Sequence, residues 1–282
     1  KLSIEERWHV ANYVQSLAKT DKTIRAENTV VKAEKLEGAL PTSPDDAAWA
    51  GAQTTTFAMV PQIIAKPRFF KAANDSITVQ ALYNDTEVAF LLEWDDRTKS
   101  IPGDEAAAKI ADPKMAADAV ALQWPVLPID GLEKPYFVAG DATKPVNIWK
   151  WSAGTTKSPA KIELSNGQGL DKLEARDAKE NGLSAIGSYK NGTWRVVVKR
   201  PLKTSDKDID IQFEEGRFTP IALAAWDGSN SEKARSYTLT TWYWVLLKPP
   251  TSAKPIISGV IVALLIFGLL GWWARNAGRR EG

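Results

Sequence analysis

The 282-residue chain contains no cysteine, one histidine (His9) and two methionines (Met59 and Met115), against 12 tryptophans. Without a thiol it can form no disulfide, hold no iron–sulfur cluster or thiolate zinc site, offer no cysteine nucleophile and carry no haem attached through a CxxCH motif. A single histidine likewise excludes a His-rich metal centre. Excess charge is also missing: 36 basic and 34 acidic residues leave +2, too even for a protein that binds nucleic acid by bulk phosphate neutralisation. No glycine-rich phosphate loop and no Ser/His/Asp arrangement is present. The adjacent Asp95 and Asp96 would point to opposite faces of a strand, which makes them a poor acid–base pair. The chain is therefore read as a non-enzyme.

What is present falls into four stretches. Residues 251–282 contain Ile256–Trp273, IISGVIVALLIFGLLGWW, 18 residues without a charge. As a helix at about 1.5 Å per residue it would be long enough to cross a hydrocarbon core. Arg275, Arg279 and Arg280 follow at once, so the positive-inside rule predicts one C-terminal transmembrane helix, a cytoplasmic tail and a large domain on the outer side of an inner membrane, in the periplasm. The run holds no ionisable residue and would serve only as an anchor.

Residues 1–20 carry a capping box (Ser3, Glu6) and an apolar spacing through Ile4, Trp8, Ala11 and Ala18, which predicts an amphipathic helix. His9 beside that stripe reads as a surface or packing residue. An external domain requires export, yet no signal peptide is visible, so Lys1 is not read as the start of the encoded protein. Residues 21–44, polar and of mixed charge apart from Val30 and Val31, are read as a linker.

From residue 45 to 250 the signal is of strands. Ile77–Asn84 and Glu87–Trp94 flank a two-residue turn, and Ala185–Lys190 and Thr193–Arg200 flank Asn191-Gly192, a strong hairpin signal. Thr54–Ile63, Ala119–Trp124, Val146–Trp151, Thr219–Trp226 and Tyr237–Leu247 are further strands. No long helices alternate with them, so the expectation is a mainly β protein built as an antiparallel β-sandwich. Arg97–Ala117 and Ser152–Ser188 read as long loops. Asp95-Asp96 and Asp227-Gly228 read as turn residues whose carboxylates cap backbone amides, with calcium binding the less favoured alternative. Most of the tryptophans read as core, with a few left to line a flat cofactor slot.

Six segments appear in a distinctive order: LEWDD (Leu92–Asp96), DAVALQWP (Asp118–Pro125), GDATKPVNIWKW (Gly140–Trp151), YKNGTWRVVVKRPL (Tyr189–Leu202), PIALAAWDGSN (Pro220–Asn230) and TTWYWVLL (Thr240–Leu247). This series resembles the ethylbenzene dehydrogenase type haem-binding domain, the γ subunit of type II enzymes in the dimethyl sulfoxide reductase family. The resemblance implies a sandwich with one non-covalent haem b that passes electrons between an iron–sulfur subunit and a cytochrome. It further implies iron ligands at a methionine and a lysine, whose positions here are Ala139 and Tyr237 or its neighbours. Haem b is thus either retained through substitute donors or lost. Met115, Met59 and Lys144 are the candidate donors, and Gly140, Trp149 and Trp151 the other candidate cofactor-binding residues. RWHVANYVQSL separately resembles the last helix of class I cytochromes c, which would place a haem c only in a segment upstream of this chain. An ordinary docking helix explains the same residues.

The function expected is a membrane-anchored, extracytoplasmic electron-transfer subunit of a larger redox complex. Its expected partners are the other subunits, a soluble or fused cytochrome c and the lipid bilayer. The alternative is a non-redox binding or structural module of the carbohydrate-binding kind, since sandwich domains with exposed tryptophans also stack on sugars.

Overall fold

The computed structural model describes residues 29–105, 115–127, 129, 133–250, 262–270 and 272–273. The N-terminal helix expected over residues 1–20 and residues 256–261 of the C-terminal apolar run lie outside them. Two units divide between Lys248 and Pro249.

Among the described residues of the first unit, fourteen strands run in chain order: β1 (Val30–Lys35), β2 (Thr55–Ala58), β3 (Val60–Pro61), β4 (Ser76–Tyr83), β5 (Glu87–Asp95), β6 (Ala119–Pro125), β7 (Val146–Ser152), β8 (Lys161–Gly167), β9 (Leu173–Arg176), β10 (Ser184–Lys190), β11 (Thr193–Pro201), β12 (Phe218–Trp226), β13 (Thr238–Leu239) and β14 (Tyr243–Leu247). Hydrogen bonds join them along the path β10-β11-β5-β4-β1-β14-β12-β6-β7-β8-β9, with β2 on β4 and β13 between β12 and β3. The turn between β10 and β11 has Asn191 at φ 54° and Gly192 at φ 78°, the left-handed pair that a two-residue hairpin needs.

The path doubles back so that its two arms face each other. The Phe90 ring of β5 lies 5.1 Å from that of Trp124 on β6, and Trp151 of β7 lies 5.0 Å from Trp194 of β11, although several strands separate each pair along the hydrogen-bonded path. Between the arms sits one core in which Phe90, Trp124, Trp149 and Phe213 touch edge to face or tilted at 5.1–6.5 Å. These are geometries that aromatic quadrupoles favour. Arg200 is wholly buried here. Its guanidinium lies 5.0 Å over Trp149 and donates to the Ile211 carbonyl, which offsets the cost of removing a charge from water.

Three sequence expectations change. Instead of an antiparallel sandwich, one continuous sheet of mixed sense forms, because β1 pairs in parallel with both β14 and β4. That strand falls inside the segment read as a linker. Only Val31 and Ala33 of β1 are fully buried, and its charged residues point out, with Lys35 paired to Asp85 at 2.7 Å and Glu34 to Lys248 at 2.9 Å. Two inward residues are too few to register as a period. The expected loop Ser152–Ser188 contains β8 and the edge strand β9, on which Leu164 and Gly167 alone are buried. Strands with so little apolar face have no alternation to read.

In the second unit, residues 262–270 and 272–273 are helical. Their apolar side chains are exposed, from 51% at Ile266 to 71% at Phe267. Among the described residues no helix is long and apolar enough to cross a membrane.

The two arms meet closely where Trp151 packs on Gly187 of β10. A Cβ at Gly187 would stand 2.2 Å from the Trp151 ring. Gly187→Val should therefore destabilise the domain by about 1–3 kcal/mol through overpacking, read as a lower urea midpoint with an unchanged m-value.

Candidate functional site

Strict alternation along β6, β7 and β12 sends alternate side chains to opposite sides of one arm. Val120, Leu122, Trp124, Trp149, Trp151, Ile221, Leu223 and Ala225 enter the core. The other set faces away and forms rows across the sheet. Register places Glu163, Lys150, Ala121, Ala224 and Leu239 in one row and Ser165, Ile148, Gln123 and Ala222 in the next. Three alanines in the middle of these rows leave a depression. Phe137–Ala139, Leu170–Leu173 and Ala234–Tyr237 border it, enclosing a cleft of about 390 Å³. That volume falls in the range of roughly 300–1,000 Å³ usual for small-molecule and cofactor sites.

The borders are held by specific bonds. Gln123 Nε2 donates to the Phe137 carbonyl at 2.9 Å, and the Ala139 N–H donates to Gln123 Oε1 at 3.0 Å. Ala139 and Gly140 both take left-handed conformations, φ 61° and 73°. At Gly140 a Cβ would sit 2.9 Å from two backbone oxygens, those of Gly167 and Lys144, so glycine is required there. Trp226 stacks tilted on Tyr237 with centroids 4.9 Å apart, and burial pushes the Tyr237 phenol up to about 12. Arg235 is committed to Asp171 and to the Lys66 carbonyl at 3.1 Å.

Lys150 is the amine of the cleft. Its Nζ lies 4.3 Å over the Trp226 ring. Burial lowers its pKa, against which the Glu163 carboxylate works in the opposite direction. The neutral amine, with a free lone pair, is therefore more accessible than on a surface lysine.

Ala139 and Tyr237 line this one cleft, and Gly140 adjoins it; the family resemblance implies iron ligands at the first position and at Tyr237 or its neighbours. The other sequence candidates lie elsewhere. Trp149 and Trp151 point from the same strand into the opposite, core side. Met59 is in the core with its sulfur 3.9 Å from the Thr238 hydroxyl. Met115 is half-buried beside Ala116, whose N–H donates to the Gly228 carbonyl at 3.0 Å. Lys144 pairs with Glu133 at the surface. Sequence reading missed Lys150 and Gln123; the signal was their place among apolar outward residues of strands whose inward set is tryptophan and leucine.

A second concentration of ionisable groups lies among the loops. Asp96, Asp118 and Asp227 are all buried and converge, one carboxylate oxygen from each lying within 4.8 Å of the others. Burial, then the charge of Asp118, pushes Asp96 up to about 8; burial raises Asp118 to about 6.

The ethylbenzene dehydrogenase family pattern matches residues 46–183 and 168–238, more than half of the chain. The chain belongs to that family. Among its relatives is a protein of Haloferax mediterranei named as a respiratory nitrate reductase heme subunit, 25% identical over 250 residues that span 88% of this chain and 84% of the relative. The chlorate reductase subunit gamma of Ideonella dechloratans is 26% identical over 252 residues, 86% of this chain and 96% of the relative. The dimethylsulfide dehydrogenase subunit gamma of Rhodovulum sulfidophilum matches over 126 residues at 27% identity, covering 43% of this chain and 44% of the relative.

Within this family domain, Gln123 holds the cleft border by two bonds to otherwise buried backbone. Gln123→Leu should cost about 1–3 kcal/mol by leaving those groups unpaired, and amide hydrogen exchange at Ala139 should accelerate relative to the β5 amides.

Proposed function

We propose that this chain is the non-catalytic electron-transfer subunit of a larger redox complex, and that the cleft over β6, β7 and β12 is its haem slot. The observation that carries this reading is the convergence of Ala139, Tyr237 and Lys150 on one apolar depression, in a chain whose relatives are named as haem or gamma subunits of oxidoreductases.

The residues fit a flat apolar macrocycle. The alanine floor leaves planar room, Ile148, Leu170 and Leu239 supply apolar walls, and Trp226 and Tyr237 supply ring faces. Among the described residues no methionine or histidine lines the cleft, and the iron donor there would be the Lys150 amine. A haem bound there would supply a one-electron couple, tuned by its axial donor and the dryness of the site. The chain's own part is to hold the ring, ease loss of the Lys150 proton by burial and exclude water. The partners are then the other subunits of the complex and a soluble or fused cytochrome c.

We further read the apolar run Ile256–Trp273 as an anchor that holds the domain at the periplasmic face of the inner membrane with the C-terminus in the cytoplasm. The uncovered apolar side chains at 262–270 and 272–273 support a lipid environment, and the arginines that follow support the orientation.

Two measurements test these readings. The protein purified from its native membranes should give a pyridine haemochrome of the b type, with a Soret band lost or shifted in Lys150→Ala. The Lys150 amine must shed its proton to bind iron, so haem affinity should rise with pH toward the lowered pKa of that group. Native protein without non-covalent haem would sink the slot. For the anchor, deletion of residues 251–282 should move the domain from the carbonate-resistant membrane pellet to the soluble fraction. Retention in the pellet would count against it.

A further inference from the structure

The buried carboxylates of Asp96, Asp118 and Asp227 lie away from the cleft and take no part in the proposed haem site. Asp96 follows β5, Asp118 precedes β6 and Asp227 follows β12, so residues from three separate chain segments meet at one point. They are 4%, 0% and 7% exposed. No lysine, arginine or histidine among the described residues pairs with any of them. Three buried carboxylates without a basic partner carry a desolvation cost that neighbouring dipoles only partly offset.

Each carboxylate is nevertheless oriented. Asp118 Oδ2 accepts from the Ser100 N–H at 2.6 Å and from Trp194 Nε1 at 2.9 Å, and its Oδ1 accepts from the Gly228 N–H at 2.8 Å. Asp227 Oδ1 accepts from the Ser229 N–H and hydroxyl at 2.8 and 2.7 Å. Asp96 Oδ1 accepts from the Thr98 N–H at 3.0 Å. The exception is Asp96 Oδ2, which is buried and has no partner. An oxygen in that position needs a proton or a cation.

We propose that Asp96, Asp118 and Asp227 bind a calcium ion that ties together the three chain segments that carry them. The donor set is all oxygen, which selects a hard cation. Oxygens that coordinate calcium at about 2.3–2.6 Å stand no more than about 5 Å apart, and the observed separation of within 4.8 Å satisfies this. The unpartnered Asp96 oxygen is the ligand that the protein itself leaves unsatisfied. Calcium is favoured over magnesium because these carboxylates come from loops of irregular geometry, and the smaller ion demands a near-ideal octahedron.

The test uses the full-length protein. Elemental analysis of material purified without chelator should find about one calcium per chain. After EDTA treatment, the thermal midpoint should rise by roughly 5–10 °C at free calcium a hundredfold above Kd. Terbium should replace calcium and emit on tryptophan excitation, because the Trp194 indole is bonded to Asp118, and excess calcium should quench that emission. Asp96→Asn should abolish the calcium shift and the terbium signal. Asp95→Asn, at the exposed neighbour, should keep both. If Asp96→Asn fails to fold, the wild-type arms decide alone. A stripped protein that responds to neither ion, a response to magnesium without calcium, or an Asp96→Asn protein that retains both signals would overturn the assignment.

Discussion

Side-chain alternation along three neighbouring strands governs both halves of this molecule. On β6, β7 and β12 the inward positions carry Trp124, Trp149, Trp151 and Leu223, and the outward positions carry Ala121, Lys150, Ala222 and Ala224. Large residues on one side build the aromatic core, and small ones on the other leave a depression under the border segments. A slip of one residue in register would exchange the two sets, driving alanines into the core and tryptophans into the cleft. The bonded rows from Glu163 through Lys150 and Ala121 to Ala224 hold against that slip.

Two kinds of polar burial accompany this arrangement, and they are compensated differently. Arg200 in the core gains ring faces and carbonyls around its whole guanidinium. Lys150 in the cleft gains one ring face from Trp226 and a cross-strand carboxylate, so its charge is held less firmly. An amine in that condition can exchange its proton for another electrophile, whereas a fully partnered guanidinium is structural. Ala139, kept at φ 61° without a glycine's freedom, stores strain on the order of 1 kcal/mol beside the same cleft. The Gln123 side chain holds it there.

Much of the architecture was legible in sequence because it rests on local periodicity. Asn191-Gly192 announced its hairpin through turn chemistry, and the strands of the GDATKPVNIWKW and PIALAAWDGSN segments stood out as short apolar, tryptophan-bearing runs. Strand β1 did not, since two inward residues among charges make no period, and its role depends on β4 and β14 lying on either side. Strands β8 and β9, the last two of the path, were hidden for a related reason: β9 is an edge with one partner, and the pair buries only Leu164 and Gly167. Of the cleft, the ligand-position residues Ala139 and Tyr237 could be named from the order of motifs. Met59 lies in the core, the commonest place for a methionine.

The sequence by itself determined that thiol chemistry is absent, that the body is strand-built and that it shares the motif order of one family, because composition and two-residue periods need no partner to be read. Tertiary structure alone decided that one sheet of mixed sense folds over itself, that Lys150 belongs beside Ala139 and Tyr237, and that Asp96, Asp118 and Asp227 meet. Those facts concern which side of a strand a residue occupies once strands have paired, and proximity between separate chain segments has no local signature.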